Sequence, residues 1–195
     1  QTTMKFFTTL SSLFTASAFI ARSRPKPGRV GVYYHNNKLV NQIQRSGGWN
    51  WWNTITYKFV DDISIQPQVD PVYNVECGSK DGITLTFPEI NVYNTLVDDD
   101  KCILKVIGGF HIPVHRDYDK LLIHSIIESE VLQFCKDYSF DEIYITKFNE
   151  LYELLMTKLK ENLKDHEVQD CLKITDVRLT RPTISPELKA RFEEI

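Results

Sequence analysis

The sequence predicts an α+β protein behind a short apolar N-terminal segment. Three observations carry that expectation. β-rich runs separated by turn residues dominate up to about residue 107, apolar residues recur at helical spacing after Pro113, and sixteen uncharged residues lie between Lys5 and Arg22. With 195 residues, 42% of them hydrophobic, the chain can fill a core of ordinary domain size. Its 8 Gly and 8 Pro exclude collagen-like or low-complexity sequence. Cys77, Cys102, Cys135 and Cys171 contain no C-x-x-C, which excludes a zinc ribbon or a thioredoxin-type motif. Their wide spacing also excludes a disulfide-stapled mini-protein.

The N-terminal run FFTTLSSLFTASAFIA reads as a helix of about 24 Å at 1.5 Å per residue. That falls short of the roughly 30 Å hydrocarbon core, but extension through Thr2, Thr3 and Met4 with Lys5 snorkelling allows a short span. A cleaved signal peptide, with Ala16-Ser17-Ala18 as its small-residue site, and a mitochondrial presequence are the rival readings. The leading one is a membrane anchor over residues 1–24, with Phe6, Phe7, Leu10, Leu13, Phe14, Phe19 and Ile20 against lipid. Arg22, Arg24, Lys26 and Arg29 come directly after the segment, and the positive-inside rule then keeps the domain behind it cytosolic or in a matrix.

Pro25, Pro27 and Gly28 make a stiff break. RVGVYY and KLVNQI, joined by HNNK, read as a β-hairpin. SGGWNWWN at 46–53 interrupts the pattern, and strands resume with TITYKFV, DISIQPQVD and PVYNVEC. Gly78 to Gly82 is a turn before ITLTFPEINVYN, a long strand whose phase shifts at Pro88. Asp98, Asp99 and Asp100 read as a polar break. Leu122, Ile123, Ile126, Ile127, Glu130 and Phe134 then mark one amphipathic helix. Asp141 reads as the cap of a second, which carries Ile145, Phe148, Tyr152, Leu155, Leu159 and Leu163. CLKITDVRLTRP is a strand stopped by Pro182, and a last helix is expected to start at Pro186. The expected organisation is an anchor at 1–24, one α+β domain at 25–184 and the start of a C-terminal helix at 185–195.

No motif for chemistry is present, so no catalytic residue, cofactor or metal is expected. Of the histidines at 35, 111, 115, 124 and 166, only His111 and His115 fall in H-x-x-x-H, across Ile112-Pro113 where no helix can form to align them, and none falls in H-E-x-x-H. No phosphate-cradling or G-x-S-x-G motif occurs. The carboxylates on the helices read as solvated ion-pair faces, and each cysteine reads as a small buried apolar residue. Residues 1–60 carry eight Lys or Arg and no Asp or Glu, whereas the rest of the chain holds 15 basic against 26 acidic residues. Beside an apolar segment that basic stretch suits anionic lipid headgroups better than nucleic acid, and no nucleic-acid partner is expected. Trp49, Trp51 and Trp52 read first as a membrane-interface cluster and second as core of the β part.

From Gly28 to Ile195 the chain resembles the SPFH (stomatin, prohibitin, flotillin; band 7) family, and within it the erlins. GRVGVYY resembles the opening strand, NVECGSKDGITLTFPEINVYN the central hairpin, and DYDKLLIHSIIESEVLQFC with FDEIYITKFNEL the paired helices; VRLTRPTISPELKARFE resembles the strand and Pro-punctuated start of a long helix. The resemblance implies a single-anchor protein of the endoplasmic reticulum membrane with a lumenal domain. It also implies large ring or cage oligomers of self or paralogous SPFH subunits and a non-enzymatic scaffold role. Implied partners are membrane lipids, cholesterol or anionic lipid among them, and a membrane ubiquitin ligase in ER-associated degradation. The chain departs from the family at Ser46-Gly47-Gly48-Trp49, where Gly-Pro-Gly-aromatic is typical, and it has no N-x-[ST] sequon. The alternative is a single-copy structural accessory subunit of a larger complex, with the mitochondrial inner membrane as its setting.

Overall fold

The computed structural model describes residues 20–23, 25–36, 38–47, 50–53, 56–108 and 120–184. The chain forms two compact units, residues 1–66 and residues 67–195.

The first unit is all β among its described residues. Strands β2 (Arg29–His35), β3 (Lys38–Arg45) and β5 (Tyr57–Ser64) form an antiparallel sheet in the order β3-β2-β5. The predicted hairpin is present: Tyr34 opposes Leu39 and His35 opposes Lys38, with Asn36 at φ 49° supplying the left-handed turn residue. Gly28, at φ 75°, turns the chain into β2, and a Cβ there would lie 2.5 Å from the Gln66 side chain. Val30, Val32, Tyr33 and Tyr34 are all buried, so β2 is covered on both faces.

A second, two-stranded sheet pairs β1 (Ile20–Ser23) with β4 (Asn50–Asn53), placing Ala21 opposite Trp52 and Arg22 opposite Trp51. Two expectations change here. Ile20 and Ala21, assigned above to a helix, are strand residues, and the tryptophan stretch read as an interruption is itself a strand. The pairing partner of each lies some thirty residues away, where no local pattern announces it. Residues 1–19, and with them Phe6, Phe7, Leu10, Leu13, Phe14 and Phe19, lie outside the described residues, as does Trp49. Among the described residues no helix is long and apolar enough to cross a membrane.

In the second unit β6 (Gln68–Gly78), β7 (Thr84–Leu96) and β8 (Leu172–Leu179) form an antiparallel sheet with β7 central, and β9 (Thr183–Ile184) pairs with the start of β7. The phase shift expected at Pro88 is present. Leu85 and Phe87 are buried, then Ile90, Val92, Asn94 and Leu96. β6 shifts at the facing position, because Asn74 adopts φ 54° between buried Val72 and Val75. Both strands change face together, so the one-to-one register from Gln68–Asn94 to Gly78–Thr84 survives.

Among the described residues this unit has three α-helices, of which the second packs on β6 and the third on β8. The first, α1 (Asp100–Gly108), is a correction, since strands were expected to about residue 107. Ile103, Val106 and Ile107 are buried at helical spacing. The Asp99 carboxylate accepts a hydrogen bond from Cys102 N at 3.0 Å, so Asp99 is the helix cap rather than part of a solvated break. Next, α2 (Ser125–Asp137) comes after a π-helical turn at Lys120–His124. Its buried stripe runs through Ile127, Val131, Phe134 and Cys135, and Glu130 is not part of it. Last, α3 (Phe148–Asp165) comes after a second π-helical turn, Glu142–Thr146. It buries Leu151, Leu155, Leu159 and Leu163, each contributing about 1.5–3 kcal/mol by leaving water. Asp141 makes no side-chain cap bond. Ser139 and Glu142 form the capping box instead: Ser139 N donates to Glu142 Oε2 at 2.9 Å and Glu142 N donates to Ser139 Oγ at 3.4 Å.

The cysteines are paired, which corrects their reading as separate apolar fillers. Cys77 of β6 is bonded to Cys135 of α2, and Cys102 of α1 to Cys171 just before β8. These close loops with sequence separations of 58 and 69 residues, the long-loop regime in which cross-linking most restricts the unfolded chain. Replacing Cys77 and Cys135 together by Ala is expected to cost roughly 2–5 kcal/mol. Urea denaturation of the oxidised parent and the double variant checks this, and equal midpoints would contradict it.

Candidate interaction surface

Among the described residues no group of three or more His, Cys, Asp or Glu is placed to hold a metal ion. The surface is therefore built from packing, charge and exposed apolar groups. Its rigid base is the tip of the β6–β7 hairpin clasped against the α2–α3 junction. The turn closes through Ser79 N to Ile83 O at 2.9 Å and Gly82 N to Ser79 O at 2.9 Å. Lys80 N then donates to Tyr138 O at 2.9 Å, and Phe140 N donates to Asp81 Oδ1 and Oδ2 at 3.2 and 3.3 Å. The Ser79 hydroxyl donates to Asp81 and holds the carboxylate in place.

This geometry sets the charge state of the clasp. The Ser79 hydroxyl first, and backbone N–H groups after it, hold the Asp81 carboxyl below the usual carboxylate range. Ser139 does the same to Glu142, through its N–H and then its hydroxyl. At the far end of the hairpin the sense reverses. Burial raises Asp70, and the opposing pull of Asn94 and of His124 is weaker. There Asn94, 1% exposed, donates to Asp70 and accepts from Gln68 Nε2 at 3.2 Å, so the buried amide is satisfied across β6.

On the outside, α3 and β8 border a groove of about 610 Å³ whose lining includes Leu163, Leu172 and Ile174, with Lys160, Lys164 and Lys173 around it. Tyr152 Oη donates to Asp176 Oδ1 at 3.3 Å and ties α3 to β8 beside it. At the other end of α3 the π-helical turn exposes Ile145. The predicted stripe put Ile145 on the buried face. The wider turn buries Ile143 and carries the stripe on to Leu151, leaving Ile145 outside. Arg181 stacks over Tyr144 and Phe148 with its guanidinium 5.2 and 5.8 Å from the ring centroids.

Of the residues proposed for membrane contact, Ile20, Trp51 and Trp52 are brought to one two-stranded sheet, and the rest lie outside the described residues. Sequence reasoning missed the Asp81 clasp, the α3–β8 groove and the exposure of Ile145. Only the Ser139-Phe140-Asp141-Glu142 box was spelled out locally.

An antiparallel β6–β7–β8 sheet carrying paired helices, preceded by a β hairpin, is the arrangement the resemblance implied, and comparison with known proteins agrees. A family described as "SPFH domain / Band 7 family" matches residues 24–194. The chain belongs to this family. Among curated proteins it is similar to Erlin-2-A of Xenopus laevis, 31% identical over 183 residues, covering 93% of this chain and 51% of that protein. It is also similar to Erlin of Caenorhabditis elegans, 28% identical over 186 residues (95% and 56%), and to Erlin-1 of Homo sapiens, 30% identical over 169 residues (85% and 45%). The chain is thus an erlin-like SPFH protein that spans about half the length of the curated relatives it matches.

The clasp makes a pH prediction. Asp81 and Glu142 hold their protons less tightly in the folded chain than in the unfolded one, so the stability they contribute is present above the ordinary carboxylate range and lost as pH falls through their folded values. Asp70 acts with the opposite sign. Urea midpoints are expected to drop from about pH 6 to about pH 3, and Asp81→Asn with Glu142→Gln to flatten that decline. A decline of unchanged slope in the double variant would show that the clasp does not drive it.

Proposed function

We propose that this chain is the SPFH portion of an erlin-type, non-enzymatic scaffold of the endoplasmic reticulum membrane. In this reading residues 1–24 anchor it, the domain faces the lumen, and copies of this chain or its paralogues assemble into large oligomers. Those oligomers organise membrane rich in cholesterol or anionic lipid and recruit a membrane ubiquitin ligase to clients for ER-associated degradation. The observation that carries it is the match of nearly the whole chain to the SPFH family together with similarity to proteins named erlin.

The lumenal side draws support from the two disulfides. Such bonds persist in oxidising compartments, whereas cytosolic and matrix thiols are kept reduced. The basic flank after residue 21 favours the opposite side, but a single short segment weighs less than two cross-links. The basic stretch before residue 60 and the tryptophan strand support contact with anionic headgroups.

The native mass and subunit stoichiometry of the gently detergent-extracted complex test the scaffold reading. The expected result is a megadalton-range assembly made mostly of this chain and close relatives. One copy among many unrelated subunits would overturn it in favour of an accessory subunit. Deleting residues 1–22 is expected to release the chain from membranes at alkaline carbonate, and full retention would contradict the anchor. Replacing Trp49, Trp51 and Trp52 by Ala is expected to reduce vesicle binding; unchanged binding with lost folding would make them core residues.

A further inference from the structure

We infer that the Cys102–Cys171 bond is a thiol-exchange site, opened by an external thiolate at Cys102 Sγ while Cys77–Cys135 stays closed. The inference rests on the two cross-links and is independent of the scaffold reading.

The four cysteines are not equally reachable. Cys77 is 3% exposed and Cys135 0%, so neither end of that bond faces solvent. Cys171 is 6% exposed, and Cys102 alone of the four is not buried. Exchange needs a thiolate to reach one sulfur of the bond, and a bond with an exposed end is the labile kind. A bond buried at both ends is reached only when the surrounding structure opens.

The surroundings of Cys102–Cys171 also confine the change to one place. Cys102 lies in the first turn of α1, next to exposed Lys101. Its partner ends the turn that joins α3 to β8, where Cys171 N donates to Val168 O at 2.9 Å and Gln169 and Asp170 are exposed. An ion pair also links α1 to this turn, Lys105 Nζ to Glu167 Oε2 at 3.6 Å, with side chains 47% and 83% exposed. A pair so open to water holds little, so the disulfide is the latch between α1 and the turn. Once it opens, α1 keeps its buried Ile103, Val106 and Ile107 and its Asp99 cap, and β6 stays bonded to α2 through Cys77–Cys135.

The exchange balances without any group beyond the incoming thiol. Its thiolate attacks Cys102 Sγ and a new S–S bond forms there. The bond to Cys171 breaks, and the electron pair leaves on Cys171 Sγ, which takes a proton from water. A monothiol stops at this mixed disulfide. A dithiol goes on: its second thiolate attacks its own first sulfur, Cys102 departs as a thiolate and is protonated, and the dithiol becomes a disulfide. Two electrons have then passed from the dithiol to the chain.

The test treats the oxidised 195-residue chain in detergent with reduced glutathione or with thioredoxin, quenches with N-ethylmaleimide and maps the peptides by mass spectrometry. Cys102–Cys171 is expected to open roughly tenfold or more faster than Cys77–Cys135, with the glutathione adduct on Cys102. Urea well below the unfolding midpoint is expected to leave the faster rate unchanged and to raise the slower one, and far-ultraviolet circular dichroism is expected to stay the same once the first bond is open. Opening by glutathione supports the site with a free thiol as its source, and opening by thioredoxin alone supports it with a protein dithiol. Two bonds that open together, an adduct confined to Cys171, or a faster rate that climbs with urea in step with the slower would each overturn the inference and leave the cross-links standing. Four alkylated thiols before any reductant is added would overturn both. Single variants give a reciprocal check: oxidised glutathione is expected to modify Cys102 in Cys171→Ser roughly tenfold faster than Cys171 in Cys102→Ser, and equal rates would count against Cys102 as the point of attack.

Discussion

Each outer strand of the β6–β7–β8 sheet is tied to a helix by a covalent cross-link. Cys77 binds β6 to α2 through Cys135, and Cys171, at the entry to β8, binds α1 through Cys102. The order along the chain is interleaved: each bond encloses one end of the other. Neither helix can leave the sheet without straining the segment that carries the second bond. Apolar burial then completes what the bonds delimit, with Ile103, Val131, Leu155 and Leu159 all buried in the same unit. The hairpin clasp lies next to this framework, since Tyr138 and Phe140, which receive the tip, stand only a few residues beyond Cys135.

The proposed scaffold role would ask for this kind of rigidity, because a scaffold's task is to present surfaces whose spacing does not change. α3 is held in this framework by Asn162 Nδ2 donating to Leu122 O at 3.1 Å and by Tyr152 Oη donating to Asp176 Oδ1 at 3.3 Å. Charge divides the chain in the same sense. Residues 1–60 have no acid to repel an anionic surface, while the remainder is acid-rich and carries its groove lysines in a local group.

The range of each interaction decided how much of this was legible in the sequence. The β2–β3 hairpin, the phase change at Pro88, the end of β8 before Pro182 and the leucine repeat of α3 are local, and local chemistry announced them. The misses are of two kinds. α1 is a nine-residue helix whose core, Ile103 to Ile107, reads as a strand unless Asp99 is recognised as its cap. Ile145 falls on the wrong face because a π-helical turn shifts the phase, and no residue type marks such a turn. The others are long-range. The β1–β4 pairing and both cysteine pairings join residues about thirty to seventy positions apart, where sequence spacing carries no information.

The cross-links bear both the architecture and the lumenal assignment, so they are the point to test most directly. The decisive measurement is peptide mapping of the chain extracted from native membranes under a thiol-blocking alkylator, without reductant. The account predicts two linked peptide pairs, Cys77 with Cys135 and Cys102 with Cys171, and no alkylated cysteine. Four alkylated thiols in the natively folded chain would contradict it, removing the covalent frame and, with it, the physical ground for a lumenal domain.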